Sequence, residues 1–152
     1  MHNTVLLLFF LSVAVPISLT DIKAMRIPNY LVIAGGILVI LGCINMNVTL
    51  CMQRLSNCFF GALILFLQFL AIYIICKNKL GFGDVKYSAV CGAFCGFPHV
   101  FSAGIIAAGS ALIYFALLKL SGKQIKEMKI PFAPFMSTGV FAVLIYKLFF
   151  SF

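Results

Sequence analysis

Three acidic residues stand in a chain of 152: Asp21, Asp84 and Glu127. Asp21 closes a long apolar run and is followed by Lys23, Arg26 and Ile27-Pro28-Asn29. Asp84 lies in Gly81-Phe82-Gly83-Asp84-Val85-Lys86, between two further apolar runs. Two carboxylates that meet can hydrolyse an amide through an activated water. Crowded together they cannot both ionise, so one holds a proton while the other is charged. The charged partner draws a proton from water. The neutral one hydrogen-bonds the carbonyl oxygen as the carbon becomes tetrahedral. Such a pair titrates as one unit, and nothing in the sequence assigns base and acid between Asp21 and Asp84. Each has a plainer reading by itself: Asp84 as a helix cap, Asp21 as a loop residue. The pattern GxGD alone is weak, and the signal is the combination.

Other chemistry finds little support. The chain has no Ser-His arrangement, no P-loop and no dinucleotide glycine pattern. The six cysteines, Cys43, Cys51, Cys58, Cys76, Cys91 and Cys95, contain no CxxC pair. Cys91 and Cys95 lie four apart, as small packing residues of a helix do. Cys51 and Cys58 could pair across an exposed loop. No metal and no cofactor is expected.

The carboxylates must be positioned by membrane helices. Hydrophobic residues make up 64% of the chain and charged residues 9%, against ~45–50% and ~25% in soluble domains. The fold class is therefore all-α, a polytopic integral membrane protein forming one domain over residues 1–152. The first apolar stretch lacks a basic leader and is long for a signal peptide, so it reads as a retained span. Six transmembrane helices are expected: 4–20, 30–44, 58–76, 87–97, 101–118 and a last one from 131–135 to about 150. Pro16 should kink the first. Pro28 turns the chain, and Asn29 caps the second helix. Residues 45–57 read as an exposed loop or interfacial helix, and 120–130 as a short amphipathic surface helix. Gln68 should face another helix. Small residues in spans four and five predict that these two pack together.

Six spans put three connections on one side. These hold Lys23, Arg26, Lys77, Lys79, Lys86, Lys119, Lys123, Lys126 and Lys129, nine of the eleven basic residues. The positive-inside rule makes that side cytoplasmic and leaves both termini outside. Asp21 and Asp84 then share the cytoplasmic face, with His2 and His99 on the opposite one. The net charge of +8 sets topology and meets anionic lipid; it does not call for nucleic acid. Gly81 and Gly83 permit unusual dihedrals or close backbone approach. Lys86 either orients a carboxylate or substrate carbonyl or, more simply, snorkels to the interface.

Taken together, Asp21 with Arg26-Ile27-Pro28-Asn29, the Gly81–Lys86 motif, and Ile130-Pro131-Phe132-Ala133-Pro134-Phe135 followed by Gly139 resemble the type IV prepilin peptidase family of membrane aspartyl proteases. The resemblance covers nearly the whole chain in the family's order. It implies that Asp21 and Asp84 are the catalytic pair, with Gly81, Gly83, Lys86, Arg26, Pro28, Asn29, Pro131 and Pro134 in support. It implies removal of a short basic leader from pilin-like precursors at the cytoplasmic face of the cell membrane. Partners would be the precursor, lipid, and pilus or secretion machinery. The short first connection has no cysteine, so the chain resembles the peptidase-only branch of tight-adherence pilus systems, without N-methyltransferase activity. Ala133 stands where the family commonly has glycine. Two other readings are a non-enzymatic assembly partner and a small proton- or cation-coupled transporter. The transporter reading expects acids near the midplane.

Overall fold

The computed structural model describes residues 2–44, 48–75, 81–121 and 131–150. Six helices run through them: α1 (His2–Ala24), α2 (Asn29–Ile44), α3 (Val48–Ile75), α4 (Phe82–Cys95), α5 (Val100–Leu120) and α6 (Ala133–Phe150). α1, α3, α5 and α6 contain stretches long and apolar enough to cross a membrane. α2 has 16 residues and α4 has 14. At ~1.5 Å per residue α4 is ~21 Å long, shorter than the ~30 Å hydrocarbon core. Large apolar side chains such as Leu8, Ile33, Ile105 and Leu112 point outward. An all-helical exterior of this kind suits lipid, where each backbone polar group must be satisfied within its own segment.

Three boundaries differ from the sequence expectation, the first being that α1 continues to Ala24 and holds Asp21 within the helix, not in the connection after it. α3 begins at Val48, so 48–57 is helix, not a loop or separate interfacial segment. That stretch contains no Gly or Pro, and its Leu, Met, Gln and Arg favour a helix. Its 28 residues span ~42 Å, which carries the polar early part beyond the apolar one. Cys51 and Cys58 consequently share one helix. Seven residues of rise put them ~10.5 Å apart, beyond the reach of a disulfide, so that pairing is excluded. α4 begins at Phe82, not near Tyr87, and the Gly-Phe-Gly-Asp motif forms its first turn. α1 runs on through Pro16. There the Thr20 hydroxyl donates to the carbonyl oxygens of Pro16 and Ile17, 2.9 Å each. The expected surface helix over 120–130 falls almost wholly outside the described residues, as do Lys77, Lys79, Lys123, Lys126, Glu127 and Lys129.

The buried core gathers around α4. Tyr87, Val85, Cys91 and Phe94 are nearly inaccessible, with Phe10 and Ile17 of α1 and Val140 and Leu144 of α6 beside them. The Phe10 and Phe94 rings meet edge to face at 5.3 Å between centroids. Small residues do permit close helix contacts, but not between α4 and α5. α4 lies mainly against α3 and α5 against α6. Gly61 and Gly92 bring the α3 and α4 backbones together so closely that a Cβ on either would strike the other's carbonyl. Gly139 likewise faces the Ala103 carbonyl across α5 and α6. The reason is geometric: the glycines that admit a facing backbone pair Gly92 of α4 with Gly61 of α3, and Gly139 of α6 with Ala103 of α5. Gln68 faces α5 and α6 across a cavity without being buried. It is exposed on α3, at the edge of an apolar cavity between α3, α5 and α6.

Candidate active site

The candidate site lies where α1 ends, α2, α4 and α6 begin, and the three sequence motifs converge. Asp21 is in the last turns of α1 and only 5% exposed. A carboxylate at a helix C-terminus is unfavourable with respect to that helix's dipole. The start of α6 compensates. Asp21 Oδ2 accepts a hydrogen bond from the Ala133 amide at 3.0 Å, and the Phe132 amide also bonds this carboxyl. Pro131 and Pro134 have no N–H. Of the four residues from Pro131 to Pro134, the two with amides to offer are the two that meet Asp21. Met25 then ends the helix with φ 52 and donates its N–H to the Asp21 carbonyl oxygen at 2.9 Å. This left-handed residue turns the chain away immediately after the acid.

Asp84 is in the first turn of α4 and 9% exposed. Its backbone N–H donates to the Gly81 carbonyl oxygen at 3.0 Å. Its Oδ1 is buried without a hydrogen-bond partner, alone in this among the described side-chain oxygens and nitrogens. A buried acceptor left this way carries a desolvation cost. Burial first, and the Asp21 charge second, push the Asp84 carboxyl up to about 7, against the pull of a backbone hydrogen bond from Gly81. Two acids 63 positions apart in sequence thus sit within electrostatic reach of one another.

The glycines act by lacking a side chain, not by unusual dihedrals. Gly81 has φ −69, and a Cβ there would lie 3.1 Å from Asp84 Oδ2. A Cβ on Gly83 would lie 3.1 Å from Ile27 Cβ, so this position lets the α4 motif pack on the first connection. Lys86 makes no contact with a carboxylate among the described residues. Its Nζ donates to Asn29 Oδ1 at 3.1 Å and stands 5.3 Å from the Phe82 ring centroid. The Asn29 side chain is therefore tied to α4 instead of capping α2, whose early turn is closed by the Pro28 carbonyl accepting from Leu31 N at 3.2 Å. Arg26 is exposed; Pro28, Pro131 and Pro134 are half-buried.

One layer was missed in the sequence. The Tyr87 hydroxyl and Ser137 Oγ are 2.7 Å apart, Ser137 and Ser18 are 3.2 Å apart, and Ser137 also donates to the Ala133 carbonyl oxygen at 2.8 Å. These hydroxyls join α4, α6 and α1 one turn from the groups that matter. Tyr87 follows Asp84 by three, Ser18 precedes Asp21 by three, and Ser137 follows Ala133 by four. That spacing, on apolar helices, was the available signal. Phe132 and Phe135, flanking Ala133, line the apolar cavity of about 180 Å³ described above.

A bundle of apolar helices with a buried carboxylate pair at one mouth defines a class, and comparison with known proteins supplies the family. The model described as the Type IV leader peptidase family matches residues 7–118. The chain belongs to that family, and with it to the multi-pass membrane peptidases. The match spans both Asp21 and Asp84 and stops before Pro131. No curated protein and no solved structure matches the chain significantly.

Proposed function

We propose that the chain is an aspartic endopeptidase that removes the basic leader of pilin-like precursors, with Asp21 and Asp84 as its catalytic pair. The observation that carries this reading is the unpartnered Oδ1 of Asp84, buried beside a second carboxylate that is itself held by backbone amides. The arrangement suits one proton shared by two acids. The amide bonds to Asp21 favour the microstate in which Asp84 holds the shared proton. Asp21 then takes a proton from water as the hydroxide attacks the scissile carbonyl carbon. Asp84 passes its proton towards the carbonyl oxygen. Collapse of the tetrahedral species breaks the C–N bond, with a proton delivered to the leaving nitrogen. The pair remains one titrating unit throughout.

In the topology we propose, all six helices enter the membrane, both termini lie outside, and the aspartates stand at the cytoplasmic mouth, beyond the spanning parts of α1 and α4. Lys23, Arg26, Lys86 and Lys119 all belong to that end of the bundle, whereas Arg54 and Lys147 belong to the other, as the positive-inside rule requires. The apolar cavity beside Phe132 and Phe135 is large enough for one or two side chains of the precursor's apolar segment, not for a whole helix. A coupled transporter is less well supported, because both acids sit at one mouth and not at the midplane. Pilus or secretion machinery would use the cleaved product.

The test is leader removal in membranes. The protein is co-expressed with pilin-like precursors encoded near its gene, and the product is followed by mass. Wild type should cut once before the apolar segment, and inserted Asp21→Asn and Asp84→Asn should not. Equal cleavage by both variants would refute the pair. Inserted wild type that cuts no pilin-like precursor would favour an assembly role instead.

A further inference from the structure

The end of the bundle away from the aspartates gathers thiols where the other gathers carboxylates. Cys43 is next to the last residue of α2, and Cys58 lies on α3. Their sulfurs are 3.9 Å apart, and both are free thiols. Cys43 is 4% exposed and Cys58 is half-buried. Both line a cavity of about 590 Å³ that also holds Arg54, Asn57, His99 and Lys147.

The other close cysteines make a useful contrast. Cys91 and Cys95 share α4, four residues apart, where Cβ atoms of a helix stand ~5–6 Å apart, too far for the ~3.8 Å a disulfide requires. Cys43 and Cys58 come from different helices that pack on each other, and their sulfurs already face one another at 3.9 Å. A bond between them would also cross-link two elements joined by a connection.

We propose that Cys43 and Cys58 form a disulfide that ties α2 to α3 at the end of the bundle opposite the aspartates. The oxidant is a small or protein disulfide. The Cys58 thiolate, the more accessible of the two, attacks it through the cavity and releases one thiolate, leaving a mixed disulfide on Cys58. The Cys43 thiolate attacks the Cys58 sulfur and releases the second. Two protein thiols lose two protons and two electrons, and one oxidant disulfide becomes two thiols. The pairing rests on geometry alone. Its persistence in the cell rests on the topology proposed above, which puts this end on the non-cytoplasmic side, where disulfides survive.

The experiment treats purified full-length protein in detergent with oxidised glutathione, traps remaining thiols by alkylation, and maps peptides by mass. The proposal expects a Cys43–Cys58 cross-linked peptide, lost in Cys43→Ser and in Cys58→Ser and retained in Cys91→Ser. It also expects a higher melting temperature that reductant reverses, because the link restricts the unfolded chain. Alkylation of both cysteines after oxidation would overturn it, as would a lasting glutathione adduct on Cys58 with Cys43 free. Leader cleavage is measured on the same samples. Absence of the cross-link with cleavage intact overturns the disulfide and leaves the peptidase reading standing.

Discussion

Asp21 and Asp84 carry the same functional group in opposite states of satisfaction. Asp21 ends one helix and accepts amides from the start of another. It is therefore a structural joint between α1 and α6 as well as a candidate for chemistry. Asp84 begins a helix, is buried, and has an oxygen that no described group answers. A fold gains nothing from an unanswered buried acceptor. The contrast teaches that two acids of one site can be constrained separately: the fold uses Asp21 as a joint and draws no such contact from Asp84 Oδ1.

The largest effect should separate them most clearly. Either Asp→Asn change should lower cleavage by about 10²–10⁴-fold, the usual span for loss of a general acid or base. Thermal melts should then divide the two. Asp21→Asn weakens the bond to the Ala133 amide and should cost about 1–3 kcal/mol. Asp84→Asn removes a desolvated acid and should leave stability unchanged or higher. Equal melting losses would break the comparison.

Ala133→Pro tests the joint from its other side. Proline is tolerated at the first position of a helix, so the change chiefly deletes the N–H that Asp21 accepts. A loss of about 1.5–3 kcal/mol is expected, as for a hydrogen bond to a charged group. An unchanged melting temperature would show that the Asp21 contact contributes nothing.

The pH response should belong to Asp84. Its folded-state value is raised from 3.8 to about 7, so between those values the folded chain holds a proton that the unfolded chain has released. Its contribution to stability is full below 3.8, falls as pH rises towards about 7 and levels off above. Cleavage should fall as pH rises through about 7, because two ionised acids leave no proton for the carbonyl oxygen. Melting temperatures of wild type and Asp84→Asn across this window check the sign: the wild type should slope and the variant should be flatter.

Tyr87→Phe should have the smallest effect, about 1 kcal/mol for one hydrogen bond. Ser137 keeps Ser18 and the Ala133 carbonyl. A much larger loss would mean that the hydroxyl layer, and not the amides at Asp21, sets the position of α6.

Much of this contrast could be read from the chain before folding. Charge is so scarce that Asp21 and Asp84 identify themselves, and apolar runs with Pro28 and Pro98 mark most helix ends. Residues 48–57 were harder, because polarity suggests a loop while the residues themselves favour helix. Helix partners were harder still. Ala103, Ala107 and Ala111 form a stripe on α5 that fits α4 as well as α6 on composition. The choice depends on Gly61, Gly92 and Gly139, whose value lies in what faces them. The role of the Ala133 amide was hidden for the same reason, since a backbone donor leaves no trace in residue type. Only its two proline neighbours hinted that few amides there were free.

The most direct measurement is single-turnover cleavage of a pilin-like precursor by purified, lipid-reconstituted Asp84→Asn, at matched amounts of folded protein. The account predicts a melting temperature at or above wild type together with a rate lower by about 10²–10⁴-fold. A folded Asp84→Asn protein that cuts at the wild-type rate would contradict it.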